Sequence, residues 1–194
     1  MKARPIILAF DTSAAHCAAA LMWGDGQIAT RQEDMSRGQG ERLIGLLEDL
    51  LADEGFSWAD LDAIAVGVGP GNFTGIRISV SAARGLALGL GKPAIGVNGF
   101  EAVAHGQTLP YTAYLPAPRD QRYAMDLTQA GLPPPRLEDA DAPAPNPTTL
   151  IIAIANIAAA RLAQPDETFV RPAPLYVRPA DAAPPRDKPP MILP

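Results

Sequence analysis

The chain has 194 residues, 47% of them hydrophobic, and a formal net charge of −5, which suits one compact domain or two small ones with a real core. The acidic balance argues against unaided nucleic-acid binding, which depends on clustered Lys and Arg, and no apolar run is long enough for a signal peptide or a membrane span, so a cytoplasmic protein is expected. Cys17 is the single cysteine, which excludes an internal disulfide, and its apolar surroundings predict buried filler rather than a nucleophile.

Three short strands joined by tight turns are predicted at the start of the chain. The predicted elements in order are strands 6–10, 17–23 and 27–33, helix 41–53, strand 61–67, helix 74–90, strand 93–98 and helix 99–106. This β-β-β-α-β-α-β-α order predicts an α/β fold whose sheet begins antiparallel.

The composition changes near residue 107. Of the 21 prolines, only Pro5, Pro70 and Pro93 precede Pro110, so the second half is expected to be less regular. Strands are predicted at 111–115 and 122–127, and a helix at 148–162. We therefore predict an N-terminal lobe over 1–106, a smaller C-terminal lobe over 107–183 and a disordered tail over 184–194.

A glycine-rich loop follows strand 61–67 and is the most informative motif. Residues 67–77 read GVGPGNFTGIR and run directly into the next helix. Closely spaced glycines let the backbone approach a ligand or another segment, and N–H groups at a helix start can hold an anion. The loop lacks the lysine of a Walker motif and the spacing of a dinucleotide-binding motif.

Helix 74–90 is apolar on two faces. The first face consists of Ile76, Val80, Ala83 and Ala87. The second consists of Ile78, Ala82, Leu86, Gly89 and Leu90. An ordinary surface helix buries one stripe of roughly 100°, so one face is expected to pack on the core. The other packs either on the rest of the fold or on a partner protein.

Polar residues at the end of the first strand offer the remaining candidate chemistry. The segment Asp11-Thr12-Ser13 could coordinate a phosphate or a metal-bound water, or it could simply form a turn, which these residue types favour. The two histidines, His16 and His105, are too far apart in sequence to suggest a metal site. We expect no metal.

Three stretches of the chain resemble the TsaB (YeaZ) family of bacterial tRNA threonylcarbamoyladenosine biosynthesis proteins. They are ILAFDTS at 7–13, GPGNFTGIR at 69–77 and PLYVRP at 174–179. The resemblance is strong over about residues 5–106 and thin between 107 and 165. It implies the fold of the actin, sugar-kinase and Hsp70 superfamily, with ribonuclease H-like lobes: a β-β-β-α-β-α-β-α first lobe and a reduced second lobe.

The resemblance also implies a function. Members act as the non-catalytic subunit of the complex that transfers a threonylcarbamoyl group to the adenosine next to the anticodon of tRNA. The implied partners are the catalytic paralogue TsaD and, with it, the ATPase TsaE, and a homodimer is expected for the chain alone. Contact with tRNA is expected only through the complex, with no membrane and no intrinsic cofactor, while ATP or ADP could bind in the assembly.

The partner contacts follow from the same resemblance, whereas the anion contacts follow from the residue pattern described above. The partner surface falls on helices 41–53 and 74–90, and the expected contacts are Leu43, Leu47, Ile76, Arg77, Val80, Ala83, Arg84 and Ala87. The candidate anion or nucleotide contacts are Asp11, Thr12, Ser13, Gly69, Gly71 and Asn72. No catalytic residue is assigned.

Two departures from the family pattern matter. Residues 37–41 read RGQGE, where TsaD-like members have metal-binding histidines and many TsaB-like chains have His-Ser. Residues 116–122 read PAPRDQR and lack an Asp-Ala-Arg-Arg-like stretch, which argues against nucleotide binding across the lobes. The alternative is a stand-alone enzyme. A metallopeptidase would need metal ligands, and an actin-fold kinase would need a complete second lobe and a catalytic carboxylate.

Overall fold

Two β-sheets and four helices form the molecule, in a computed structural model that describes residues 5–164 and 169–177. The strands are β1 (Ile7–Asp11), β2 (His16–Trp23), β3 (Gln27–Asp34), β4 (Ala63–Gly67), β5 (Ala94–Val97), β6 (Tyr111–Ala117), β7 (Gln121–Leu127) and β8 (Arg136–Glu138). The helices are α1 (Gln39–Asp53), α2 (Phe73–Leu90), α3 (Gly99–Ala104) and α4 (Pro147–Leu162), with a short 3₁₀ turn at Trp58–Asp60.

The larger sheet has five strands in the order β3-β2-β1-β4-β5. The first three strands pair antiparallel, whereas β1 pairs parallel with β4, and β4 parallel with β5. Strands β1 and β4 are therefore parallel neighbours at the centre, and their carboxyl ends meet at one edge. The predicted α/β class and the antiparallel start of the sheet are confirmed.

Helices cover both faces of this sheet. Leu8 and Phe10 of β1 point to the face covered by α1 and α2, whereas Ile7 and Ala9 point to the opposite face. Such alternation follows from the two-residue period of a strand. Because both faces are buried, the central strands are apolar along nearly their whole length.

Helix α4 lies across the second face of the larger sheet. It contacts all five strands and buries Ile151, Ile154 and Ala155 there. The strand residues beneath it are mostly alanines, whose small side chains let a helix approach closely: Ala9, Ala18, Ala20, Ala63 and Ala65. The sequence-based division into lobes at residue 106 therefore separates α4 from the sheet on which it packs.

The smaller sheet is antiparallel and has the order β6-β7-β8. One of its faces packs on α3 through Phe100, Leu115 and Met125. Strand β8 is absent from the sequence-based elements because its three residues, Arg-Leu-Glu, carry no strand pattern. The proline-rich stretch that precedes α4 has no regular structure, as expected.

Helix α2 is held at both ends by local chemistry. The side chain of Asn72 accepts a hydrogen bond from the Gly75 N–H at 2.9 Å, which caps the N-terminus. Gly91 ends the helix with a φ of 65°, a left-handed conformation that glycine adopts without strain. In the part of the chain that the structure describes, no helix is long and apolar enough to cross a membrane. The predicted tail, 184–194, lies outside the described residues.

Candidate functional site

The carboxyl end of β1 carries a buried carboxylate. Asp11 is 2% exposed, and its Oδ1 accepts hydrogen bonds from the backbone N–H and the hydroxyl of Ser13, at 3.0 and 2.8 Å. His16 Nε2 lies 3.2 Å from the same oxygen. Asp11 thus holds its own turn and the start of β2. The pairing with His16 was not among the sequence-based predictions.

The glycine-rich loop packs directly against this strand end. A side chain at Gly67 would overlap the Asp11 carboxylate, one at Gly71 the Ser13 carbonyl, and one at Gly75 the Thr12 carbonyl. Three glycines at four-residue spacing therefore let β4, the loop and the first turn of α2 approach residues 11–13. This close approach accounts for the glycine at each of the three positions.

Hydrogen bonds reinforce the same contact. The Thr12 hydroxyl donates to the Gly75 carbonyl at 2.7 Å, and the Asn72 N–H donates to the Ser13 carbonyl at 2.6 Å. The structure thus brings together all six residues predicted to contact an anion, including Gly69, whose φ is 92°. Two backbone donors at the start of α2, those of Asn72 and Gly75, are already used internally. Anion binding here stays a prediction.

A cleft of about 920 Å³ opens beside this strand end. One wall is formed by the turn after β1 and the glycine-rich loop, and the other by Leu115, Tyr123 and the stretch before α4. Among the described residues that line it, the titratable groups near the strand end are Asp11, His16 and Asp34. The described lining presents two carboxylates and no arginine or lysine to a ligand phosphate, and nucleotide binding stays a prediction.

The segment 169–177 returns to the loop from the far end of the chain. Leu175 N–H donates to the Val68 carbonyl at 2.7 Å. The Arg77 guanidinium lies 3.8 Å from the centre of the Phe73 ring and donates to the Tyr176 hydroxyl at 2.9 Å. Two of the family-like stretches therefore meet. Tyr176 belongs to the family-like stretch 174–179, but no role was predicted for it from the sequence.

The face of α2 that was predicted to contact a partner is buried in the core, so that prediction is wrong. Ile76, Val80 and Ala83 are at most 2% exposed, and they pack with Leu43 and Leu47 of α1 in the core between the helices and the sheet. Ala87 is also buried. These six side chains, being internal, cannot contact a partner protein without opening the core.

The remaining two predicted contacts, Arg77 and Arg84, are exposed. The second apolar face of α2 is the outer one. Ile78, Ala82 and Leu86 are half-buried at its border with α1, and Ile44 of α1 is 39% exposed beside them. The sequence pattern could not show which of the two apolar faces of α2 points inward, because both are apolar.

Cysteine and histidine placements follow the sequence reasoning in part. Cys17 is buried, as predicted, and burial, followed by the nearby Glu33 carboxylate, raises the pKa of its thiol to about 11. His105 is exposed at the end of α3. Among residues 5–164 and 169–177, no group of three or more His, Cys, Asp or Glu side chains is placed to hold a metal ion.

Comparison with known proteins identifies the relationship. The family model described as "TsaD: tRNA N6-adenosine threonylcarbamoyltransferase" matches residues 28–176. The chain belongs to this family. Over 100 residues it is 42% identical to the tRNA threonylcarbamoyladenosine biosynthesis protein TsaB of Escherichia coli, covering 52% of this chain and 43% of that protein. The TsaB of Haemophilus influenzae is 36% identical over 98 residues, 50% of this chain and 41% of that protein.

Other relatives carry the name of an enzyme. The tRNA N6-adenosine threonylcarbamoyltransferase of a Jannaschia species is 38% identical over 120 residues, 50% of this chain and 33% of that protein. The chain thus spans less than half the length of these curated relatives. The predicted relationship to the TsaB (YeaZ) family is confirmed.

Solved structures confirm the fold. A Pseudomonas aeruginosa protein described as similar to peptidase YEAZ superposes with a TM-score of 0.72 at 23% identity, covering 90% of this chain and 100% of that chain. YeaZ from the same organism gives a TM-score of 0.68 at 24% identity, covering 89% and 99%. These two neighbours share the fold of this chain, and the predicted α/β fold class is confirmed.

Proposed function

We propose that this chain is a non-catalytic subunit of a cytoplasmic complex that transfers a threonylcarbamoyl group to tRNA. The observation that carries the proposal is the TsaB-named relationship over about half of the chain, combined with a strand end whose polar groups bond to one another. Oδ1 of Asp11 accepts from Ser13 and lies beside His16 Nε2. A carboxylate oxygen held in this way stabilises a turn, which supports a structural role for Asp11.

The catalytic chemistry would then belong to a TsaD-type partner, with a TsaE-type ATPase joining the pair and tRNA reached through the complex. ATP or ADP would enter with the ATPase. This chain needs no cofactor of its own in that scheme, and the cleft lining supports that, because its described residues include no arginine or lysine that would pair with a nucleotide phosphate.

In this proposal the TsaD-type partner binds to the outer faces of α1 and α2. Ile78, Ala82 and Leu86 form a half-exposed apolar stripe one helical turn apart, and a Cβ at Gly40 of α1 would lie 3.8 Å from Ile78. Ala82, the small residue in the middle of this stripe, leaves room for another helix to approach. The same stripe would join two copies in the expected homodimer of the isolated chain.

Neighbouring alanines on α2 give a matched test of this surface. Ala82→Glu places a charge on the outer stripe, and we expect a folded protein that no longer co-purifies with the TsaD-type protein of the same organism. Ala83→Glu places the same charge in the core, where Ala83 is 0% exposed, and we expect it to unfold the chain because a buried unpaired charge is costly. Thermal melting and size-exclusion chromatography separate the two results.

Retained binding by a folded Ala82→Glu variant would contradict the placement of the partner. It would leave the subunit role itself open to a direct assay, in which unmodified tRNA is modified by the TsaD-type and TsaE-type proteins with and without this chain. We expect modification only in its presence.

A second candidate is that the chain itself is an enzyme, because some relatives carry the name of the transferase. Asp11→Asn distinguishes the two. As a subunit, the variant should support at least about half of the wild-type modification rate in the full complex, since an amide oxygen can still accept from Ser13. A loss of several orders of magnitude with folding and partner binding intact would establish a catalytic carboxylate.

A further inference from the structure

A basic pocket lies at the C-terminal end of α2 and shares no lining residue with the cleft. It has a volume of about 470 Å³. Its walls come from three segments: the end of α2, the turn into β5 and the returning segment 169–177. Each segment contributes one cation, namely Arg84, Lys92 and Arg171.

None of these three cations is neutralised by the described part of the chain. Within residues 5–164 and 169–177, neither Arg84, Lys92 nor Arg171 makes an ion pair, and no carboxylate lines the pocket. Other arginines do pair with carboxylates: Arg31, Arg42, Arg122, Arg136 and Arg161. A cation after a helix end also complements the helix dipole, which accounts for Lys92 but not for Arg171.

Apolar side chains stand beside these charges. Leu88 lines the pocket and is 81% exposed, and Val170, between the lining residues Phe169 and Arg171, is 84% exposed. They are the two most exposed large hydrophobic side chains of the described residues. Covering an exposed aliphatic side chain is worth about 25 cal/mol per Å², so a binding partner with apolar groups would gain affinity here.

We propose that this pocket docks a segment of a partner protein that carries both acidic and apolar side chains. Carboxylates of the segment would pair with Arg84, Lys92 and Arg171, and its apolar side chains would cover Leu88. Charge complementarity favours this occupant, since a net charge of −5 on the chain opposes RNA, and a phosphate backbone would leave Leu88 and Val170 uncovered. The proposal does not depend on the proposed function.

A peptide titration followed by NMR tests it. The probe is a short peptide of alternating Glu and Leu, and the reporters are the backbone amides of Gly85 and Gly91, which line the pocket. We expect saturable shifts at these amides that weaken with added salt. A peptide of alternating Lys and Leu should cause none.

Charge reversal supplies the variants. Arg84→Glu with Arg171→Glu should weaken peptide binding about tenfold or more, which corresponds to about 1.4 kcal/mol. Leu88→Ser should weaken it without changing the charge. The matched control is Arg119→Glu, at the exposed β6–β7 turn, which should bind as wild type. All of these positions are exposed, and thermal melting confirms folding.

Three results would overturn the proposal. One is the absence of saturable shifts with the acidic peptide. Another is tighter binding of a uridine RNA hexamer at the same amides, which would assign the pocket to RNA. The third concerns Asp166 and Glu167, which stand three and two residues before Phe169 in the sequence: an affinity gain of about tenfold in Asp166→Asn with Glu167→Gln would show that the chain fills its own pocket.

Discussion

The five-stranded and three-stranded sheets differ in how they are covered. The larger has helices on both faces and two separate cores, whereas the smaller has one core against α3 and an outer face crossed by ion pairs such as Arg136–Asp126 and Arg122–Glu138. The strand end at Asp11 and the glycine-rich loop belong to the doubly covered sheet. The stretches 7–13 and 69–77 thus lie where the backbone is closely packed on both sides, whereas the smaller sheet is packed on one face only.

The largest expected effect tests that constraint. Gly75→Ala would drive a methyl group into the Thr12 carbonyl, and we expect a loss of about 3 kcal/mol or more of unfolding free energy because backbone has to move. Gly85→Ala on the same helix meets open space and should stabilise by about 0.5–1 kcal/mol. Urea denaturation measures both, and equal effects at the two positions would contradict the close packing described for the loop.

The next effect compares the two regions directly. Leu47→Ala empties a site that is 0% exposed in the core under α1, and such changes cost about 2–5 kcal/mol. Leu137→Ala in β8 removes a half-buried side chain at the border of the smaller core and should cost about 1 kcal/mol. A larger loss for Leu137→Ala would reverse the ranking of the two sheets.

A smaller effect probes the joint between the regions. Leu175 packs against both the α1–α2 core and the core of the smaller sheet, and Arg77 fixes the same segment through Phe73 and Tyr176. Arg77→Ala should cost about 0.5–1 kcal/mol, as for an exposed cation–π contact. Limited proteolysis should then cut the 169–177 segment faster, and an unchanged rate would show that Arg77 does not hold it.

The smallest effect concerns half-buried ion pairs at the surface of each region. Hydrogen bonding to Arg42 lowers the pKa of Glu33, and hydrogen bonding to Arg122 lowers the pKa of Glu138. A depressed pKa means that this stabilisation is present above the ordinary value of 4.5 and is lost as the pH falls through the folded-state pKa. Arg42→Gln and Arg122→Gln should each flatten the acid-side fall in melting temperature slightly, and the flattening should fade in high salt. Flattening in only one variant would show that the two sheets differ at their surfaces as well.

Local pattern was sufficient for the helices, for every strand except β8 and for their order. Helix α2 was predicted from 74 and begins at Phe73, and its end at Leu90 was correct because Gly91 follows. The inward face of α2 could not be predicted, since both faces are apolar and only the position of β4 decides between them. The packing of α4 on the larger sheet was equally inaccessible, because it joins segments more than a hundred residues apart.

The site was predicted in its location and not in its chemistry. The sequence placed the glycines and the Asp11 segment in one site, and the structure packs their backbones together, whereas a phosphate at this site stays a prediction. His16 was considered only as a metal ligand, although its nearness to Asp11 in sequence permitted the contact that is observed.

The position of α4 has a consequence for synthesis of the chain on the ribosome. The first sheet is complete in sequence by residue 97, but the helix that covers its alanine-rich face is not translated until residue 162. During that interval Ala9, Ala18 and Ala20 are exposed to solvent or covered by a chaperone, because their contacts with α4 cannot form before α4 has been synthesised. The larger sheet therefore reaches its final stability only after α4, in the second half of the chain, has been synthesised.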